Sequence, residues 1–276
     1  MSMNTQTDLI PNKTISKGVA VPTKRAHVTI QNLCKDFAGI TLYKNFNLDI
    51  KKGKIVSVFG PNGCGKSTLI NMVAGLMKMD AGQVLFDGKT LEQTKIGYVF
   101  QNYRDALFPW MTAWDNIAYP LKRMGMNKEQ VKSRVEELIN LFEIKFSLNQ
   151  YPYELSGGQQ QTTSIMRALA CEPEVLFLDE PFSALDFEMT LFIREKLQET
   201  NIKTGVTMVI VSHDLEDAVF LADQILLLTR RPTQIAALLD FNMARPRRAE
   251  SVSEVEFIKI KAQALEIFKR EMHKAI

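Results

Sequence analysis

The segment Gly60-Pro61-Asn62-Gly63-Cys64-Gly65-Lys66-Ser67-Thr68 sets three glycines ahead of a lysine and two hydroxyls. Glycines let successive backbone N–H groups turn toward one centre, and a helix opening directly behind them adds the positive end of its dipole. Such a loop is suited to cradling phosphate oxygens. Lys66 would reach the β- and γ-phosphates of a nucleotide, and Ser67 would give its hydroxyl oxygen to Mg²⁺. Cys64 reads as a small residue that lets the loop close, with no redox role. The bland alternative is an ordinary strand-to-helix turn that happens to hold Gly and Lys.

Further along, Val175-Leu176-Phe177-Leu178 delivers Asp179 and Glu180 side by side. An apolar strand ending in carboxylates places them at its C-terminal end, where α/β proteins bind their ligands, and the segment looks like a Walker B motif. Asp179 would hold the Mg²⁺ shell, and Glu180 would orient and partly deprotonate an attacking water. The alternative is a helix cap followed by solvated charge, against which the phosphate loop argues.

Both groups need a rigid frame. Ile55 to Phe59 is a short β-branched run without alternation, as in a strand buried on both faces, and a helix is expected behind the loop. Earlier, His27 to Ile30 and Phe46, Leu48 and Ile50 alternate, and Asp87-Gly88 after Val84 to Phe86 reads as a hairpin turn, so an antiparallel β segment is predicted. From about Asn102 to Tyr153 the pattern is helical. Asn127 with Gln130 resembles a capping box, and Val131, Val135, Leu138, Ile139 and Phe142 recur at helical spacing. Strands Val175 to Leu178, Val206 to Val211 and Ile225 to Leu228 then alternate with helices from Phe187 and Leu215, the mark of a parallel α/β core. A last helix from Ser253 carries Val255, Ile258, Ala262, Leu265, Phe268 and Met272 as the stripe expected to pack on the body.

Composition narrows the function. A chain of 276 residues with 46% hydrophobic residues can bury a sizeable core. Its 34 basic and 31 acidic residues are interspersed and leave only +3, so nucleic acid is not expected as a partner. Cys34, Cys64 and Cys171 show neither disulfide nor zinc spacing and suit a reducing cytoplasm. No apolar run approaches the roughly 20 residues of a membrane span. Residues 1–26 lack the apolar core of a signal peptide and read as a mobile tail.

Between the phosphate loop and the carboxylates stands Leu155-Ser156-Gly157-Gly158-Gln159. With these motifs in this order, the chain resembles the nucleotide-binding subunits of ATP-binding-cassette transporters from about His27 onward. The resemblance implies a P-loop NTPase with a RecA-like parallel-sheet core, an N-terminal antiparallel β subdomain and an inserted helical subdomain at about 102–160. It places the ATP-binding domain at 27–250 and a C-terminal helix at 251–276. It also implies that Ser156, Gly157, Gly158 and Gln159 of one subunit cap the γ-phosphate held by the other, in a head-to-tail dimer. By the same resemblance Phe37 stacks on adenine, Gln101 is the Q-loop glutamine serving catalysis and metal, Asp186 closes the D-loop Ser183 to Asp186, and His213 is the switch histidine. Phe37 and His213 have bland alternatives as core and surface residues. One departure is Thr162, where family members commonly carry Arg.

Pro109-Trp110-Met111-Thr112 ahead of Asn116 looks like the nitrate, sulfonate, taurine and bicarbonate importer branch. Its partners would be transmembrane permease subunits, a second copy of this chain and, indirectly, a solute-binding protein; its ligands would be ATP and Mg²⁺. The turn would offer a rigid aromatic surface to a short helix of a membrane partner, or be a plain packing corner. Arg230-Arg231-Pro232 and Arg245-Pro246-Arg247 fit that branch and read either as solvated charge or as a patch near lipid headgroups. An exporter motor and a soluble cassette protein outside transport are the competing classes.

Overall fold

Two strand patterns divide the chain, and the computed structural model, which describes residues 26–183 and 185–273, puts them in two sheets. The expected tail lies outside the described residues except for Ala26. In chain order the elements are β1 (Ala26–Phe37), β2 (Ile40–Lys51), β3 (Ile55–Phe59), α1 (Lys66–Val73), β4 (Ala81–Phe86) and β5 (Ile96–Val99). Helices α2 (Tyr103–Ala106), α3 (Ala113–Arg123), α4 (Lys128–Leu141) and α5 (Gly157–Ala170) follow. The chain continues with β6 (Val175–Asp179), α6 (Phe187–Thr204), β7 (Thr207–Val211), α7 (Leu215–Leu221), β8 (Gln224–Leu228), β9 (Ile235–Asp240) and α8 (Val255–His273).

Strands β2, β1 and β4 form an antiparallel sheet that buries Val28, Ile30, Phe46, Leu48 and Ile50 on one side, as alternation requires. The Asp87-Gly88 turn forms with both residues at positive φ, 49° and 79°. It leads only to a bridge between Phe86 and Lys89, not to a second full strand.

The six-stranded sheet runs β5-β6-β7-β3-β8-β9. Its strands are parallel except β9, and β3, β6, β7 and β8 are buried at every position. The edge strand β9 escaped the sequence reading because its residues are half-exposed and carry no run as apolar as β8. The capping box is present: Asn127 Oδ1 accepts from the Gln130 N–H and Gln130 Oε1 from the Asn127 N–H, both at 2.9 Å.

Two expectations are corrected. Helix α8 buries Phe257, Ile260 and Ala264, whereas Val255 and Ile258 of the expected stripe are 64% and 54% exposed and Phe268 of that stripe is half-buried against Phe59. The helix carries two apolar stripes, and the one bearing Phe257, which meets Phe241 edge-on at 6.3 Å, wins the core. Arg247 is neither solvated nor near lipid; it is fully buried. Its guanidinium donates to the carbonyls of Val219, Phe220 and Ala222 at the end of α7 and to that of Met243, and lies 4.3 Å from the Phe241 ring centroid. Burial pulls its pKa down to about 10, with Asp223 opposing. Arg245 pairs with Asp223 at 3.1 Å.

Candidate active site

The loop from Gly60 to Gly65 links buried β3 to α1. Gly63 and Gly65 stand at φ 74° and 99°, backbone states that side chains resist. A Cβ on Gly65 would also meet Leu42 at 2.9 Å, so the loop lies against β2. Helix α1 opens at Gly65 with no side-chain cap, which leaves its N-terminal N–H groups free to face an anion. Lys66 is buried, its Nζ donating to the carbonyls of Gly60 at 2.9 Å and Pro61 at 3.3 Å. Asn62 is exposed at the loop tip, and Thr68 lies in the first turn of α1. Cys64 is 1% exposed, and burial pushes its thiol up, which keeps it protonated and fits a packing role.

Asp179 ends β6 and is 5% exposed. Ser67 Oγ donates to its Oδ1 at 2.8 Å, so loop and carboxylate meet directly. Burial raises the Asp179 pKa; the Ser67 bond opposes this and the neighbouring Glu180 adds to it. Tyr98, on β5, bonds Asn71 Oδ1 at 2.6 Å, and burial with the charge of Asp179 pushes its phenol up.

Glu180 takes φ 47°, and its N–H donates to the Val211 carbonyl at 3.0 Å. Its Oε2 accepts from Gln101 Nε2 at 2.8 Å and lies 3.3 Å from His213 Nδ1. Three residues from three different strand ends therefore share one oxygen, beside the Ser67–Asp179 pair. The amide nitrogen of Gln101 is on Glu180 rather than on that pair.

Ser156 caps α5: its Oγ accepts from the Gln159 N–H at 3.3 Å, while Gln159 Oε1 accepts from the Ser156 N–H at 2.9 Å. A Cβ on Gly157 would meet the Tyr103 hydroxyl at 2.7 Å, and one on Gly158 would meet Met189 Cγ at 2.6 Å. Asp186 caps α6 by accepting from the Met189 N–H at 2.8 Å. The signature and Asp186 thus form one corner around Met189. Among the described residues no hydrogen bond joins that corner to Lys66, Ser67 or Asp179 of the same chain. Thr162 is buried, its hydroxyl donating to the Gly158 carbonyl at 2.8 Å. Phe37 ends β1 with its ring 44% exposed and Lys35 Nζ 5.2 Å from its centroid, so it is not core.

A cleft of about 860 Å³ opens beside Gln101, lined among others by Leu76, Met77, Phe100, Phe108 and Tyr119. Asn116, not among the residues expected to act, organises its rim. Fully buried Asn116 accepts from the Phe108 N–H at 2.8 Å and donates to the carbonyls of Phe108, Met111 and Thr112. An amide on the otherwise apolar face of α3 was the signal for it. Tyr98 had none, since a tyrosine in a strand is ordinary.

The family model described as ABC transporter matches residues 43–183, about half of the chain. A sulfate/thiosulfate import ATP-binding protein CysA of Neisseria meningitidis is 43% identical over 210 residues, covering 73% of this chain and 58% of that protein. A probable sulfate/thiosulfate import ATP-binding protein CysA of Chlorella vulgaris is 43% identical over 206 residues, covering 73% of this chain and 86% of that protein. The spermidine/putrescine import ATP-binding protein PotA of Thermotoga maritima is 40% identical, covering 73% of this chain and 55% of that protein. This chain therefore spans little more than half the length of several curated relatives that it matches. Among solved structures, the ATP-binding cassette MJ0796 as a dimer bound to ADP and Pi superposes with a TM-score of 0.69 at 33% identity, over 79% of this chain and all of that one. The P-loop NTPase fold is shared with it, and on these matches the chain belongs to the ABC transporter family.

Proposed function

We propose that this chain is the ATP-hydrolysing subunit of an ABC importer. It would act as a head-to-tail dimer on the cytoplasmic face of a membrane, with transmembrane permease subunits and, indirectly, a solute-binding protein. The observation that carries this reading is the convergence of Gln101, Glu180 and His213 on one carboxylate oxygen next to the Ser67–Asp179 pair. That is the arrangement needed to hold a water in line with a phosphate on the loop.

The residues fit Mg²⁺: two hard oxygen donors, Ser67 Oγ and Asp179 Oδ1, lie 2.8 Å apart, and Asp179 is a buried carboxylate whose charge a cation would relieve. Bound there, the ion would neutralise charge on the β- and γ-phosphate oxygens. Glu180 would take a proton as the water oxygen bonds to the γ-phosphorus. The bond to the bridging oxygen breaks, and ADP and phosphate leave. Lys66 would exchange its carbonyl partners for phosphate oxygens. Ser156, Gly157, Gly158 and Gln159 of the second copy would close over the γ-phosphate, with Asp186 near that junction and Phe37 against adenine.

Import is supported by the names of the relatives, whose cargoes are sulfate or thiosulfate, polyamines and Fe(3+). The finer reading, a small anion such as nitrate, sulfonate, taurine or bicarbonate, rests on Pro109 to Thr112 ahead of Asn116 and on the Arg230 to Pro232 and Arg245 to Arg247 strings. A short permease helix would dock in the cleft beside Gln101, whose aromatic and apolar lining suits it. No helix among the described residues is long and apolar enough to cross a membrane.

The test is phosphate release with Mg-ATP by wild type and Glu180→Gln across protein concentrations. Turnover that rises cooperatively with concentration and vanishes in the variant, while ATP still binds, is expected. Turnover independent of both would rule the reading out.

A further inference from the structure

Three consecutive carbonyls of the phosphate loop are held from behind. Arg231 Nε donates to the Gly63 carbonyl at 2.6 Å, Thr233 Oγ1 to that of Cys64 at 2.6 Å, and the Tyr43 hydroxyl to that of Gly65 at 3.0 Å. Tyr43 comes from β2 of the antiparallel sheet, whereas Arg231 and Thr233 lie between β8 and β9 of the parallel core. The two sources are tied to each other: the Thr233 N–H donates to the Leu42 carbonyl at 2.7 Å, and Tyr43 and Thr233 form a β-bridge. Tyr43 and Thr233 are fully buried, so their hydroxyls have no water to turn to.

The planar trans peptide points its C=O and the following N–H in opposite directions. Fixing the Cys64 and Gly65 carbonyls outward therefore fixes the N–H groups of Gly65 and Lys66 toward the other side, where phosphates would sit. A loop this rich in glycine has the most backbone freedom to lose on binding, and a brace that removes this freedom beforehand lowers the ordering cost.

We propose that Tyr43, Thr233 and Arg231 are positioning residues that preorganise the loop for phosphate, acting through its carbonyls without touching the ligand. This rests on the loop's assignment as a nucleotide phosphate site. Substrate and transition state use the same N–H groups, so losing the brace raises KM and the ADP dissociation constant while kcat at saturation is kept.

The experiment uses the full chain, with Mg-ADP binding by calorimetry, KM and kcat for ATP, and thermal melting of each variant. Thr233→Val keeps shape and loses the hydroxyl, Thr233→Ser keeps the hydroxyl, and Tyr43→Phe loses only its oxygen. Arg231→Ala changes an exposed side chain and covers the case in which a buried variant fails to fold. One net hydrogen bond predicts a Kd raised about five- to tenfold for Thr233→Val, Tyr43→Phe and Arg231→Ala, with Thr233→Ser close to wild type. A purely structural role would lower the melting temperature and the number of competent sites but leave Kd per site unchanged, and that result overturns the proposal. So does Thr233→Ser behaving like Thr233→Val. Wild type that fails to bind Mg-ADP, or binds it equally well as Lys66→Ala, would overturn the loop's assignment and the brace with it. Wild type that binds while the brace variants match it would overturn the brace alone.

Discussion

Glu180 stands in the left-handed region, which costs a residue with a side chain about 1–3 kcal/mol and persists only where its surroundings enforce it. The enforcing contacts are the Val211 carbonyl behind it and Gln101 and His213 in front. Its neighbour Asp179 carries a second cost. Burial holds the Asp179 carboxyl above its ordinary value, so the folded chain binds that proton more tightly than the unfolded one. Stability therefore falls as pH rises from the ordinary carboxylate value through the raised one, and at neutral pH the charge opposes folding. Asp179→Asn is expected to melt higher than wild type without ligand and to lose the stabilisation that Mg²⁺ adds to bound ATP, both read by thermal melting. Arg247 behaves in the opposite way: Arg247→Met leaves the carbonyls of Val219, Phe220, Ala222 and Met243 without their donor. A loss of about 3 kcal/mol or more is expected by denaturant unfolding. The placement of Lys66, Ser67, Asp179 and Glu180 was legible because each sits in a short contiguous motif whose spacing states its geometry. Arg247 was not, because an Arg-Pro-Arg string does not disclose that the end of α7, some 25 residues earlier, turns its carbonyls toward it.

Among the elements, α5 and α6 meet where Gly158 faces Met189. Gly158→Ala would press its methyl on Met189 Cγ and shift the Asp186 cap, an overpacking cost of about 1–3 kcal/mol, and adding Met189→Ala should restore most of it in a double-mutant cycle. Helix α8 shows where element reading fails: Val255-Ile258-Ala262-Leu265 and Phe257-Ile260-Ala264 are both apolar at helical spacing. Partners on the body decide: Phe241 meets Phe257 of the second stripe, while Phe59 meets Phe268 of the first, which is thereby kept in part. The seam between β1 and the core carries its own pH dependence. His27 is buried, with Nδ1 2.6 Å from the Thr207 hydroxyl, which also accepts from the Gly53 N–H. Burial lowers the His27 pKa; Asp87 and Glu174 oppose this and Lys52 adds to it. The neutral form is favoured in the fold, so its contribution is present above the ordinary value near 6.5 and is lost as pH falls below it. Chemical denaturation between about pH 7 and 5 should show that loss, and His27→Gln should flatten it.

At the scale of the molecule, the two sheets meet at the phosphate loop, with β2 on one side and the turn after β8 on the other. The signature corner lies elsewhere in the same chain, so each site would be assembled from two copies. Lys66→Ala and Ser156→Arg should each be inactive alone, whereas mixing them should recover turnover, because one hybrid site unites an intact loop with an intact signature. No recovery on titrating one against the other would count against the composite site. The order of motifs suggests this arrangement, but the sequence could not show that Thr162 uses its hydroxyl on the Gly158 carbonyl, since that contact appears only once the helix is built. The lysine of the loop adds a last consequence. Lys66 Nζ is already bonded to the carbonyls of Gly60 and Pro61, so a phosphate arriving there would displace an internal competitor for the ammonium. On the proposed function, affinity would then be the difference between two sets of bonds, and the loop would reclaim its lysine once the γ-phosphate had gone, favouring departure of the spent nucleotide.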